Sequence, residues 1–198
     1  MVSKGINGLV LAGGKSLRMG IDKSTMLWHG IEQRYYVADM LRAFCDEVFI
    51  SCRAEQEAEI NDYPTIPDTY TELGPYGAIL SAFKAYPHKT WLVVACDLPL
   101  LDVETLQQLI SNRDAGKMAT TFESPYDGLP EPLITLWEPT SYEILLSYLP
   151  EGYKCPRKAL RNNLDDVKII KALNPDALMN TNTPEDAEKV KQLLAHAG

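Results

Sequence analysis

The chain has 198 residues, 45% hydrophobic and 23% charged, with 27 acidic against 19 basic side chains and a formal net charge of -8. That length suits one well-packed domain and is short for two, and the acidic balance argues against a nucleic-acid scaffold, which needs a broad basic face. No apolar run approaches the ~20 residues needed to span a membrane, and the opening MVSKGING lacks the apolar core of a signal peptide, so a cytoplasmic protein is expected.

In chain order, NGLVLA (7–12) reads as a buried strand, short and rich in branched residues. The segment 31–44 follows as a helix, with Ile31, Tyr35, Ala38, Leu41 and Cys45 recurring every three or four residues. EVFIS (47–51) and TWLVVA (90–95) are further strands, and 77–86 and 103–110 further helices. Beyond residue 115, KMATTF (117–122) and PLITLW (132–137) predict strands around the turn-rich ESPYDGLPE. A helix over 138–149 and a strand at KIIKA (168–172) come next, with EGYKCPRKALRNN left without an element. The last helix has Thr183 as N-cap, Pro184 at its first position, Glu185 and Asp186 in its first turn, and runs to about residue 196. Such alternation calls for a mostly parallel sheet covered by helices on both faces. Cys45, Cys52, Cys96 and Cys155 form no CxxC pair, and Cys45, Cys52 and Cys96, beside apolar residues, read as small buried hydrophobes of a reducing compartment.

The first strand runs into LAGGKSLRMGIDK (11–23), where Lys15, Arg18 and Lys23 accompany Gly13, Gly14 and Gly20. Glycine amides can converge on an anion as a concave nest. The P-loop spacing fails by one residue and the GxGxxG fingerprint is absent. A tight turn alone does not need Arg18 and Lys23, and in so acidic a chain their mutual repulsion suggests a polyphosphate counter-anion. Asp97 stands where TWLVVAC ends, placed either to hold Mg²⁺ or to cap the helix near Asp102. Asp68 precedes a Gly74-Pro75 turn and has an ordinary turn reading beside a functional one. Asn182 could belong to the turn before the last helix, whereas Asn180 stands outside that turn.

LAGGKSLRMGIDK, DTYTELGPYGAI, CDLPLL, PEPLITLW and NTNTPEDA, in this order, resemble the motif set of the molybdenum cofactor guanylyltransferases, MobA-like members of the glycine-loop nucleotidyltransferases. The resemblance runs essentially end to end. It implies a single Rossmann-like three-layer α/β/α domain that transfers GMP from Mg·GTP to Mo-molybdopterin, forming molybdopterin guanine dinucleotide and pyrophosphate. It further implies that the backbone of Leu11, Ala12, Gly13 and Gly14 lines the nucleotide, with Arg18 and Lys23 on its phosphates. Asp68 would face the nucleotide, Asp97 would hold Mg²⁺, and Asn180 and Asn182 would sit near the metal and the molybdopterin phosphate. Arg157 and Lys158, in a basic loop like the family's, are implied near the acceptor, and transient contact with proteins that deliver molybdopterin or receive the product fits the same scheme.

The residue types fit this chemistry without a triad or an acid–base pair. An acceptor phosphate is already anionic, so catalysis reduces to positioning and charge neutralisation. His29, His88 and His196 lie outside every motif. Arg53, Tyr76 and Ala78 depart from the family pattern, Tyr76 and Ala78 replacing the usual Leu and second Gly. Gly13-Gly14 follows the guanylyl rather than the cytidylyl relatives by family association. The alternatives are a CTP-dependent or other-acceptor nucleotidyltransferase of the same fold, and a non-catalytic nucleotide-binding relative.

Overall fold

The computed structural model describes residues 5–12 and 23–196. Its strands are β1 (Ile6–Leu11), β2 (Val48–Cys52), β3 (Thr65–Pro67), β4 (Thr90–Ala95), β5 (Ala119–Glu123), β6 (Pro130–Trp137) and β7 (Val167–Ile170). They form one sheet in the order β3-β2-β1-β4-β6-β5-β7. β6 runs antiparallel to β4 and β5, and the other pairings are parallel. The expected mostly parallel α/β architecture is therefore what forms.

The helices are α1 (Gln33–Leu41), α2 (Pro75–Ala85), α3 (Val103–Ser111), α4 (Ser141–Ser147), α5 (Pro156–Asn162) and α6 (Pro184–His196). Strands β1 and β4 are buried on both faces, which explains their unbroken apolar runs. Val37, Ala38 and Leu41 of α1 and Leu106 and Leu109 of α3 pack with Ile6, Val10, Leu92 and Val94 on one face. Ile79 and Phe83 of α2, Leu145 of α4 and Leu160 of α5 pack with Leu9, Trp91, Val93 and Trp137 on the other. Three layers result, with an apolar core on each side of the sheet.

Several boundaries differ from the sequence expectation for identifiable reasons. Helix α1 occupies only the middle of 31–44, and Ile31 is exposed rather than part of the apolar stripe. The segment 138–149 forms a helix only over α4, because Ser141 bonds back to the Glu138 carbonyl and starts the helix there. Strand β6 begins at Pro130, two residues before PLITLW, and α5 fills the segment left without an element. Strand β3 is three residues long and ends in proline, which is too short for periodicity to register. The N-terminus of α6 is as expected: Asp186 N–H donates to Thr183 Oγ1 at 3.1 Å, and Thr183 N–H returns to Asp186 Oδ2 at 2.9 Å.

Candidate active site

From β1 the chain adds β2 and β3 on one side and then places β4 on the other, so the strand order reverses between β1 and β4. In open α/β sheets the ligand crevice lies beyond the carboxyl ends of the strands at such a switch point. Leu11 ends β1 there, and the Ala12 amide donates to the Ser51 carbonyl of β2 at 3.2 Å. Gly13, Gly14 and Arg18, together with Lys15, lie outside the described residues.

Asp97 follows β4 by two residues at the same end. The capping alternative for it does not hold: Asp102 is the N-cap of α3, accepting from the Thr105 amide at 2.7 Å. The Asp97 Oδ1 atom is buried and has no hydrogen-bond partner among the described residues. Burial pushes its carboxyl above the usual carboxylate range, and the nearby Lys23 ammonium pulls it back. Lys23, in a short 3-10 turn at Lys23–Thr25, donates to Asn182 Oδ1 at 2.8 Å across 159 residues of sequence. The Asn182 side chain thus serves Lys23, while its amide joins the Asp186 cap at 2.9 Å. One residue earlier, the Thr181 amide donates to the Asp97 carbonyl at 3.0 Å, locking the NTNT segment against the end of β4. Lys23, Asp97, half-buried Asn180 and Asn182 are therefore brought to one edge of the sheet from three distant parts of the chain.

A buried, orphaned carboxylate oxygen is costly unless something cationic completes it. The donors near it are hard oxygens, as Mg²⁺ prefers, and that ion uses one or two carboxylates with phosphates and water supplying the rest. Among the described residues no group of three His, Cys, Asp or Glu side chains assembles a cage of its own. The residues present fit a cation shared with a phosphorylated ligand.

Asp68 follows β3, with Ser51 Oγ donating to its Oδ1 at 2.9 Å. Burial raises its carboxyl above the ordinary range, opposed by the Ser51 hydrogen bond and the Arg53 charge. Arg53 itself pairs with Glu55 at 2.8 Å. Beyond Asp68, Gly74 enters α2 with φ 54°, and a Cβ at Gly77 would stand 2.2 Å from the Tyr70 carbonyl oxygen. Both positions require glycine. Tyr76 points into the core, its hydroxyl donating to the Leu145 carbonyl at 2.8 Å, and Ala78 is buried with it.

Arg157 of α5 reaches Asp127 Oδ2 and Glu131 Oε2, each at 2.8 Å. Its charge is compensated by two carboxylates. Lys158 lies with its ammonium 3.9 Å from the centre of the Tyr153 ring. Glu131 is only 4% exposed and sits at the start of β6; because β6 runs against β4, that start lies at the crevice end. Burial raises the Glu131 carboxyl, the Arg157 charge and hydrogen bond lower it, and the Asp97 charge raises it further.

Residues 8–167 match the family described as the MobA-like NTP transferase domain. The chain belongs to that family. A molybdenum cofactor biosynthesis bifunctional protein of Synechocystis is 35% identical over 181 residues, covering 90% of this chain and 52% of the relative. The chain therefore spans about half the length of that bifunctional relative. A molybdenum cofactor guanylyltransferase of Pseudomonas fluorescens is 30% identical over 191 residues, covering 89% of each chain. Among solved structures, the molybdopterin-guanine dinucleotide biosynthesis protein A of Archaeoglobus fulgidus superposes with TM-score 0.79 at 22% identity, over 96% of this chain and 99% of that one. At that identity the structural likeness speaks for the fold alone.

Within this MobA-like chain, Glu131 and Asp127 are the crevice residues that sequence reasoning passed over. The available signal was a glutamate between two prolines at the head of an otherwise apolar strand, PEPLITLW. No helix among the described residues is long and apolar enough to cross a membrane.

Proposed function

We propose that residues 1–198 act as one nucleotidyltransferase domain that transfers GMP from GTP to the phosphate of Mo-molybdopterin, releasing pyrophosphate. The observation that carries the reading is the 2.8 Å bond between Lys23 and Asn182 beside the orphaned Asp97 oxygen. Two motifs from opposite ends of the chain meet there, with the Lys23 charge near the Asp97 carboxylate and Thr181 on its main-chain carbonyl. Family membership and the activity for which the relatives are named support this reading.

In this reading an oxygen of the acceptor phosphate bonds to the α-phosphorus of GTP, and the bond from that phosphorus to the α–β bridging oxygen breaks. The bonding electrons leave with pyrophosphate. The attacking oxygen is already anionic, so no side chain has to remove a proton. Lys23 keeps N–H donors beyond the one given to Asn182 and directs them at the triphosphate. Arg18 adds a second cation from the glycine loop, whose Leu11–Gly14 backbone lines the nucleotide. Asp97 holds Mg²⁺, which when bound neutralises phosphate oxygens, with Asn180 and Asn182 beside it. Asp68 faces the nucleoside. Arg157 stands on the acceptor side, joined to Glu131 and Asp127.

Mass spectrometry of the product made from GTP and purified Mo-molybdopterin tests the whole reaction; molybdopterin guanine dinucleotide is expected. Thermal shift with GTP, CTP, ATP and UTP plus Mg²⁺ tests the base. The largest stabilisation is expected with GTP, and equal stabilisation by CTP would transfer the reading to a cytidylyl enzyme.

A further inference from the structure

Among the described residues Asp97 Oδ1 has no hydrogen-bond partner, so the aim of the carboxylate depends on the main chain that carries it. That main chain is Asp97-Leu98-Pro99, and proline at 99 has no amide hydrogen to tie the turn down. The Leu101 amide closes the turn on the Leu98 carbonyl at 3.3 Å, and three consecutive carbonyls also accept from donors elsewhere in the chain. Asp97 O accepts from the Thr181 amide at 3.0 Å. Leu98 O accepts from Gln33 Nε2 at 3.3 Å, and Pro99 O pairs with His29 Nε2 at 2.8 Å. A carbonyl oxygen only accepts, so Nε2 of His29 carries the proton.

The two side chains are themselves fixed. Gln33 is fully buried in the first turn of α1, and its main-chain N–H donates to the Met26 carbonyl at 2.9 Å. The His29 ring stacks on Tyr36 of α1, centroids 3.7 Å apart and planes within 11°. Met26 follows the Lys23–Thr25 turn at once, so a single short segment carries Lys23 and both donors.

We propose that His29 and Gln33 are positioning residues for Asp97: they fix the 97–99 turn so that the carboxylate is aimed at a divalent cation, and they couple that aim to the placement of Lys23. The proposal rests on the reading of Asp97 as the metal ligand. Partners that orient a ligand from behind typically change metal affinity 10–100-fold when removed.

The test is Mn²⁺ binding, read from the electron paramagnetic resonance of free Mn²⁺ in the presence of a non-hydrolysable GTP analogue. Analogue affinity in EDTA and the melting temperature are measured alongside. His29→Phe keeps a ring for Tyr36 and deletes the donor; His29→Gln keeps a donor and deletes the ring. His29→Phe is expected to weaken Mn²⁺ binding about ten-fold while metal-free analogue affinity stays within about two-fold, and His29→Gln is expected to recover most of the loss. Wild-type Mn²⁺ affinity in His29→Phe overturns the proposal, as does an equal loss of metal-free analogue affinity, which would mark a merely structural role. Should His29→Phe not fold, Gln33→Met, close in volume, is read against the same two outcomes. Asp97→Asn separates the two levels. Loss of Mn²⁺ in that variant with none in His29→Phe sinks the positioning role alone, whereas unchanged Mn²⁺ binding in Asp97→Asn removes the metal reading and the proposal with it.

Discussion

Two acidic side chains sit at opposite ends of β4, and the fold treats them in opposite ways. Glu138, 2% exposed, lies by the first residue of the strand. Arg113 grips it with two donors at 2.7 and 2.8 Å, and Thr90 adds a third at 2.7 Å. Asp97, just past the last residue, keeps a buried oxygen without a hydrogen-bond partner among the described residues. A buried charge that is paired and hydrogen-bonded serves structure, while one left short calls for an explanation, which the proposed function supplies as a bound cation. The same strand thus shows what a satisfied and an unsatisfied carboxylate look like.

The contrast can be broken at its sharpest point by Asp97→Asn. Metal-dependent pyrophosphate release is expected to fall by about 100-fold or more, as for loss of a key electrostatic group. The metal-free protein should melt no lower than wild type, because burial disfavours the ionised form of Asp97. At the other end, Glu138→Ala leaves Arg113 uncompensated, with an expected cost of about 3 kcal/mol and a fall in Tm of roughly 6–12 °C. Turnover should stay within about two-fold of wild type at a permissive temperature. Calorimetry and initial rates on the two variants would show opposite patterns; a matching pattern would erase the distinction.

A smaller effect sharpens it. Lys23→Met removes the cation that lowers the Asp97 carboxyl and bonds Asn182. GTP affinity is expected to drop about ten-fold, in line with a charge-assisted phosphate contact of about 1.5 kcal/mol, measurable by calorimetry. The pH dependence carries its own sign. The folded-state carboxyl of Asp97 is raised, so metal binding, which needs the carboxylate, should begin to fail on acidification above the usual value of about 4. Stability of the metal-free protein runs the other way. As pH falls through the raised folded value toward the unfolded one, the fold binds the proton more tightly and gains stability from this group. Asp97→Asn should abolish that gain in a pH series of melting curves. Least affected is Tyr76→Phe, expected to lose about 1 kcal/mol with its Leu145 hydrogen bond and to leave nucleotide binding unchanged.

Much of this molecule was legible in sequence because its strands are short apolar runs and its last helix carries a complete N-terminal cap. Strand β3 and helix α5 escaped, the first too brief for a period and the second beginning with a proline amid charged residues. Lys23, Asp97 and Asn182 could each be named from motifs, but nothing local says that residues 159 positions apart share a hydrogen bond. Arg157 could be named as a cation, yet only packing revealed the two carboxylates that hold it. His29 belonged to no motif, yet its ring nitrogen meets the Pro99 carbonyl two residues past Asp97. The order of apolar runs and breakers determined the layers, since periodicity and turn chemistry act over a few residues. Which polar groups meet at the end of β4, and which of them stay unpaired, was decided by the sheet order, because strand pairing joins segments that the chain keeps far apart.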